Sequence, residues 1–147
     1  MGVDASQLTT EDYASADRAQ QLLAGRFHGA PSLYVQMRSW EYFVVGVEEG
    51  YDTTWVFEYR NDIDCRDWLH EALPILTPAM RMFCLERLEP LDTRYRGATG
   101  PLKSFAAQAG PRPERERWWR DRYPLLIDHD ENVELPAAWS PAPRRIT

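Results

Sequence analysis

"SLYVQMRSWEYFVVGVEEGYDTTWVFEYRND", Ser32 to Asp62, is the stretch on which the fold turns. Val, Tyr, Phe and Trp crowd it in short alternating runs, and "EEGYD" around Gly50 has the composition of a turn. β-Branched and aromatic side chains suit a pleated, half-buried surface, so the stretch predicts strands joined by a hairpin. A two-residue loop (Glu49, Gly50) or a four-residue loop (Glu49 to Asp52) places Tyr42, Val44 and Gly46 on one face with Trp55, Phe57 and Tyr59, because side chains alternate with period two. Phe43, Val45, Val47 and Val56 take the other face with Thr54 and Glu58, and Gly46 leaves room for the Trp55 indole. With "LYVQM" as a preceding strand, the expectation is a three-stranded antiparallel meander.

Helical signals flank this stretch. Thr9 and Asp12 form the two ends of a capping box, and Tyr13, Ala16, Ala19, Leu23 and Phe27 recur at helical spacing, which predicts a first helix from about residue 10 to 25. In "DIDCRDWLHEAL", Asp64 reads as an N-cap with Asp67 at the third position, and Cys65, Trp68, Leu69, Ala72 and Leu73 form an apolar stripe that Pro74 ends. Thr77 before Pro78 starts another helix through Met80, Phe83, Cys84 and Leu88. Pro90 is expected to kink or restart it before Leu91 and Tyr95. "GATGPLKSFAAQAGPRP" has linker composition, with a helical turn over Ser104 to Ala109. "ERERWWRDRY", Glu114 to Tyr123, predicts a last helix stopped by Pro124, then a short strand at Leu125 to Ile127.

These elements define an α+β fold class: one domain over 1–147, in which the three-stranded antiparallel meander packs with about four helices. The N-terminal helix comes first and the other helices follow the sheet. Residues 1–9 and 136–147 are expected to be flexible or extended tails.

Composition narrows the function classes. The 147 residues are 44% hydrophobic, 12% aromatic and 27% charged, values typical of globular chains, with a formal net charge of -6. No run of 18 apolar residues appears and the start "MGVDASQLTTEDY" is acidic, so neither a membrane span nor a secretory signal is expected, and a cytoplasmic location follows. Two cysteines, Cys65 and Cys84, are too few for a disulfide scaffold. Negative net charge disfavours nucleic acid as a direct ligand, since phosphate binding is driven by cationic neutralisation. Charge is also segregated: nine acids face two arginines between Glu41 and Glu71, while ten basic residues face six acids between Arg81 and Arg122.

Motifs that carry chemistry are scarce. Asp62, Asp64 and Asp67 with His70 resemble a metal or base cluster, but caps and turns account for the three aspartates. "DHDENVE" (Asp128 to Glu134) lacks the spacing of a calcium loop and reads as a solvated acidic loop. No phosphate loop, dinucleotide fingerprint, zinc-protease or nucleophile-elbow pattern occurs, and no metal or cofactor is expected. Cys65 opens a helix but has acids at 64 and 67, which oppose thiolate formation.

The expected function is therefore a small protein-binding module: an inhibitor, an immunity-type protein or an accessory factor. Its candidate surface is Glu48, Glu49, Asp52, Glu58 and Asp62, followed by Trp118, Trp119 and Arg122, because Trp and Arg are favoured where partners bind. Consecutive helical residues diverge by about 100°, so one indole is expected in the core and the other at its rim beneath arginines. Two alternatives stand beside this reading. One is an enzyme using His70 with Asp67, or His129, as its base. The other is an acidic DNA mimic that blocks a nucleic-acid-binding protein.

Overall fold

In the computed structural model, which describes residues 2–27, 29–103, 116–128 and 134–146, five helices occur: α1 (Thr10–Leu23), α2 (Leu33–Glu49), α3 (Tyr59–Asp62), α4 (Asp64–Ala72) and α5 (Pro78–Ala98). Five short strands accompany them: β1 (Tyr51–Asp52), β2 (Thr99–Pro101), β3 (Arg122–Pro124), β4 (Leu126–Asp128) and β5 (Arg144–Arg145). The antiparallel meander expected over 33–59 is not formed. One sheet has the order β1-β4-β5 with both pairings parallel, Tyr51 opposite Ile127 and Leu126 opposite Arg144; the other pairs β2 with β3 antiparallel.

The correction has a physical cause. Leu33, Gln36, Trp40, Phe43, Val44 and Val47 are buried in α2, a three-to-four-residue spacing that makes one helical stripe. Tyr34, Val35, Arg38, Glu41, Tyr42 and Glu49 lie exposed on the rest of the surface. The Ser32 hydroxyl accepts from Val35 N at 3.2 Å, an N-cap that stands in the sequence just before the apolar run. β-Propensity is a weak preference set by context, and here a 17-residue amphipathic stripe outweighs it. Gly50, at φ +122, ends the helix, with its N–H bonded to Gly46 O. The second expected strand is instead a 3-10 helix, Thr53–Glu58, that runs into α3.

By packing, the chain divides into two compact units, Met1–Glu41 with Asp64–Asp92 and Tyr42–Ile63 with Thr93–Thr147. In the first, α1 carries the predicted capping box: Thr9 Oγ1 accepts from Asp12 N and Asp12 Oδ2 accepts from Thr9 N. The start of α5 is tied to it. Thr77 Oγ1 accepts from Met80 N and donates to Asp12 Oδ1 at 2.6 Å, while Ser15 Oγ donates to Asp12 O and accepts from Thr77 N. α4 begins at Asp64 itself, and Cys65, Trp68, Leu69 and Ala72 are buried as the stripe predicted. α5 runs through Pro90 without interruption, keeping Leu88, Leu91 and Tyr95 buried. Arg66 and Asp92 make a buried two-point ion pair at 3.1 and 2.9 Å, and Trp40 Nε1 donates to the same carboxylate. At the N-terminus, Val3 N donates to Glu86 Oε2 at 2.7 Å.

The second unit is built around aromatic rings. Phe43, Tyr51, Tyr59, Tyr95, Trp119, Tyr123 and Trp139 are all buried. Tyr51 meets Tyr59 edge-on at 5.1 Å and Tyr59 meets Trp139 at 5.3 Å, the tilted geometries that the ring quadrupole favours. The segment after residue 136 takes part in this core: Trp139 stacks on Tyr123, the Tyr123 hydroxyl donates to Pro141 O, and β5 closes the parallel sheet. "WWRDRY" is not an extended helix. Its described part is a 3-10 turn, Trp118–Asp121, followed by β3.

Candidate functional site

The most accessible large apolar side chains of the second unit lie on or beside the former hairpin. Between Thr53 and Ile63 the chain is helical, with Thr53, Val56, Tyr59 and Ile63 turned inward at intervals of three and four residues. That anchoring leaves Thr54, Phe57, Glu58, Asn61 and Asp62 facing water. Phe57 is 85% exposed. An aromatic ring so uncovered on an anchored helical segment forgoes most of its burial free energy, about 1.5–3 kcal/mol for a fully buried phenylalanine.

Carboxylates flank Phe57 in the sequence. Asp52 is exposed and caps the 3-10 helix by accepting from Thr54 N at 2.9 Å. Glu58 is exposed and accepts from Asn61 Nδ2 at 3.0 Å; Asp62, one turn on, accepts from the Tyr51 hydroxyl at 3.5 Å. Burial first, and then the charges of Asp62, Asp52 and Glu58, push the Tyr51 phenol well above its ordinary value. Three negative charges thus converge within Coulomb range of one hydroxyl. Glu49 is exposed at the end of α2. Glu48 differs from it, because Arg94 holds it through a two-point ion pair that keeps its carboxyl below the usual range.

The tryptophan pair divides as its sequence suggests, one ring inside and one at the rim. Trp119 is 1% exposed, and its carbonyl accepts from the Tyr95 hydroxyl at 2.9 Å. Tyr59 and Tyr95 share a 2.7 Å hydroxyl contact, and since Tyr95 spends its proton on Trp119 O, Tyr59 is the donor. Burial raises both phenols far above neutrality, so the pair stays uncharged. Trp118 is half-buried against Trp119 and Tyr95, with the Arg96 guanidinium 3.8 Å above its ring. Arg122 lies flat against β2: its Nε donates to Thr99 Oγ1 at 2.7 Å and its Nη2 to Thr99 O at 2.8 Å.

Asp67 lies on the buried side of α4 with half-buried His70 one turn along; His129, with most of the acidic loop, lies outside the described residues, as do Ser104 to Ala109 and Glu114. Cys65 and Cys84 are buried thiols outside any disulfide, and burial pushes Cys84 up to about 11, out of reach of thiolate chemistry at neutral pH. Among the described residues no group of three His, Cys, Asp or Glu side chains could hold a metal ion, and no helix is long and apolar enough to cross a membrane.

Sequence reasoning placed four exposed carboxylates of this surface, Glu49, Asp52, Glu58 and Asp62, and missed Phe57, which it assigned to a covered sheet face. The signal was present in the three-residue recurrence of Thr53, Val56 and Tyr59, which turns Phe57 outward. Compared with protein families, curated proteins and solved structures, the chain matches none.

Proposed function

We propose that this chain is a non-catalytic protein-binding module, an inhibitor, immunity-type protein or accessory factor of a reducing cytoplasm, that engages its partner through the outward face of residues 52–62. The observation that carries this reading is Phe57, 85% exposed on a segment whose opposite face is locked into an aromatic core. Binding energy at protein interfaces concentrates in a few well-placed side chains, aromatic ones foremost, and a rigid support limits the entropy lost on docking. Glu49, Asp52, Glu58 and Asp62 supply the polar rim, where charge sets orientation and partner choice more than affinity. Of the sequence-predicted surface, Trp118 is the second candidate, at its exposed edge beside Arg96.

Affinity capture from the native cell tests the assignment. A stable partner should be retained by wild-type chain and by Tyr34→Ala, and lost with Phe57→Ala. Retention of that partner by Phe57→Ala, in a variant that keeps its thermal transition, would overturn the reading.

A further inference from the structure

The exposed ring and its surroundings also specify what kind of protein surface fits them. Resting on the binding role assigned above, we propose that the partner presents an apolar socket for Phe57 rimmed by arginine or lysine side chains, and that cationic groups of this rim lie against Asp52, Glu58 and Asp62.

The argument is one of complementarity. Phe57 and Glu58 are neighbours on the outward face, Asp62 follows Glu58 by one helical turn, and Asp52 caps the same segment. Between residues 49 and 62 four exposed carboxylates stand against a single cation, Arg60. Arg60 has its carbonyl hydrogen-bonded to Arg120 Nη1 at 3.4 Å. A segment that exposes both a phenyl ring and several carboxylates suits a partner that offers guanidinium groups, which gain from the ring quadrupole and from the anions. An acidic partner surface would place like charges together as desolvation sets in, which opposes docking. The same repulsion excludes anionic lipid and nucleic acid as occupants, although an exposed phenylalanine alone would suit a membrane interface. The basic stretch between Arg81 and Arg122 makes a second copy of this chain the remaining competitor, and three of its described arginines are already engaged within the chain: Arg94 by Glu48, Arg96 over Trp118, Arg122 by Thr99.

The test uses the full chain and defined probes. A short amphipathic peptide alternating leucine and arginine, the same peptide with glutamine for arginine, and the same with glutamate are titrated while amide resonances of residues 52–62 are followed. The arginine peptide should shift those resonances, bind at least tenfold more tightly than the glutamine peptide, and weaken about tenfold between about 0.05 and 0.3 M salt as screening shortens the reach of charge. Phe57→Ala, and separately the isosteric set Asp52→Asn, Glu58→Gln, Asp62→Asn, should each weaken it by a further tenfold or more. Equal binding of the glutamine or glutamate peptide, shifts mapping elsewhere, no binding by any peptide, concentration-dependent self-association that Phe57→Ala abolishes, or binding to phosphatidylserine vesicles would each overturn the cationic assignment. The two levels separate cleanly: a partner that is lost with Phe57→Ala yet is insensitive to salt and to the arginine peptide sinks this inference and leaves the binding role standing.

Discussion

Two glycines carry opposite demands. Gly50 sits at φ +122, a conformation that L side chains rarely adopt, and a β-carbon there would also have to displace the Ile146 Cδ1 methyl of the C-terminal segment. Gly50→Ala should cost at least about 1–3 kcal/mol, the range for strained backbone at a non-glycine residue, read as a lowered denaturant midpoint. Gly46 lies inside α2 in open space, where a β-carbon would meet no neighbouring atom within 4 Å outside its own turn of helix. Gly46→Ala should therefore raise stability by about 0.5–1 kcal/mol, the difference in helix propensity. A strand at this position, packed on an indole as the hairpin reading requires, would instead be hurt by the added methyl. The indoles separate in the same way: Trp119→Ala should cost about 3–5 kcal/mol and Trp118→Ala, at the rim under Arg96, clearly less. Urea titrations of the two variants make the comparison, and equal small losses would contradict the buried position of Trp119.

Among the elements, those with a side-chain signal at the helix start were legible. Thr9 with Asp12, and Thr77 with Pro78, mark α1 and α5 in the sequence because a cap is a local hydrogen bond that needs no tertiary partner. α2 was misread although Ser32 signals its start, since Val, Tyr, Phe and Trp satisfy period two and period three-to-four at once, and only burial chooses between them. The helix through Pro90 was likewise beyond local rules, because packing of Leu88, Leu91 and Tyr95 holds the chain helical on both sides of the missing donor. Links between elements carry their own tests. Thr77 first, and Thr9 after it, hold the Asp12 carboxyl below its ordinary value. A carboxylate with a lowered native pKa contributes stability that is present above the unfolded-state value, about 4, and lost as pH falls through the native one. Asp12→Asn should lower the melting temperature at pH 7 and flatten its decline below about pH 4. Asp92→Ala strands the buried Arg66 guanidinium and should cost about 3–5 kcal/mol, whereas a surface pair such as Arg26 with Glu71 is worth no more than about 1.

At the scale of the whole molecule, charge is the property that neither the core nor the caps account for. The chain carries a formal -6, with nine acids against two arginines between Glu41 and Glu71. Several of those acids serve the fold: Glu48 holds Arg94, and Asp67 is buried. Glu49, Asp52, Glu58 and Asp62 remain exposed on the segment that carries Phe57, and amide oxygens can still accept from Thr54 N, Asn61 Nδ2 and the Tyr51 hydroxyl after isosteric replacement. The variant Glu49→Gln, Asp52→Asn, Glu58→Gln, Asp62→Asn moves the formal net charge from -6 to -2. Exposed, isosteric changes alter stability by about 0.5 kcal/mol or less apiece, and asparagine caps a helix about as well as aspartate at position 52, so the thermal transition should stay close to that of the wild type. Association with a cationic partner should respond differently, because steering depends on the summed field and not on single contacts. Stopped-flow measurement at low salt should show the association rate falling about tenfold or more in the variant, with dissociation changed much less and the difference vanishing at high ionic strength. A variant that associates as fast as wild type at low salt would show that these four carboxylates are a solvated exterior, and that Phe57 binds without electrostatic guidance.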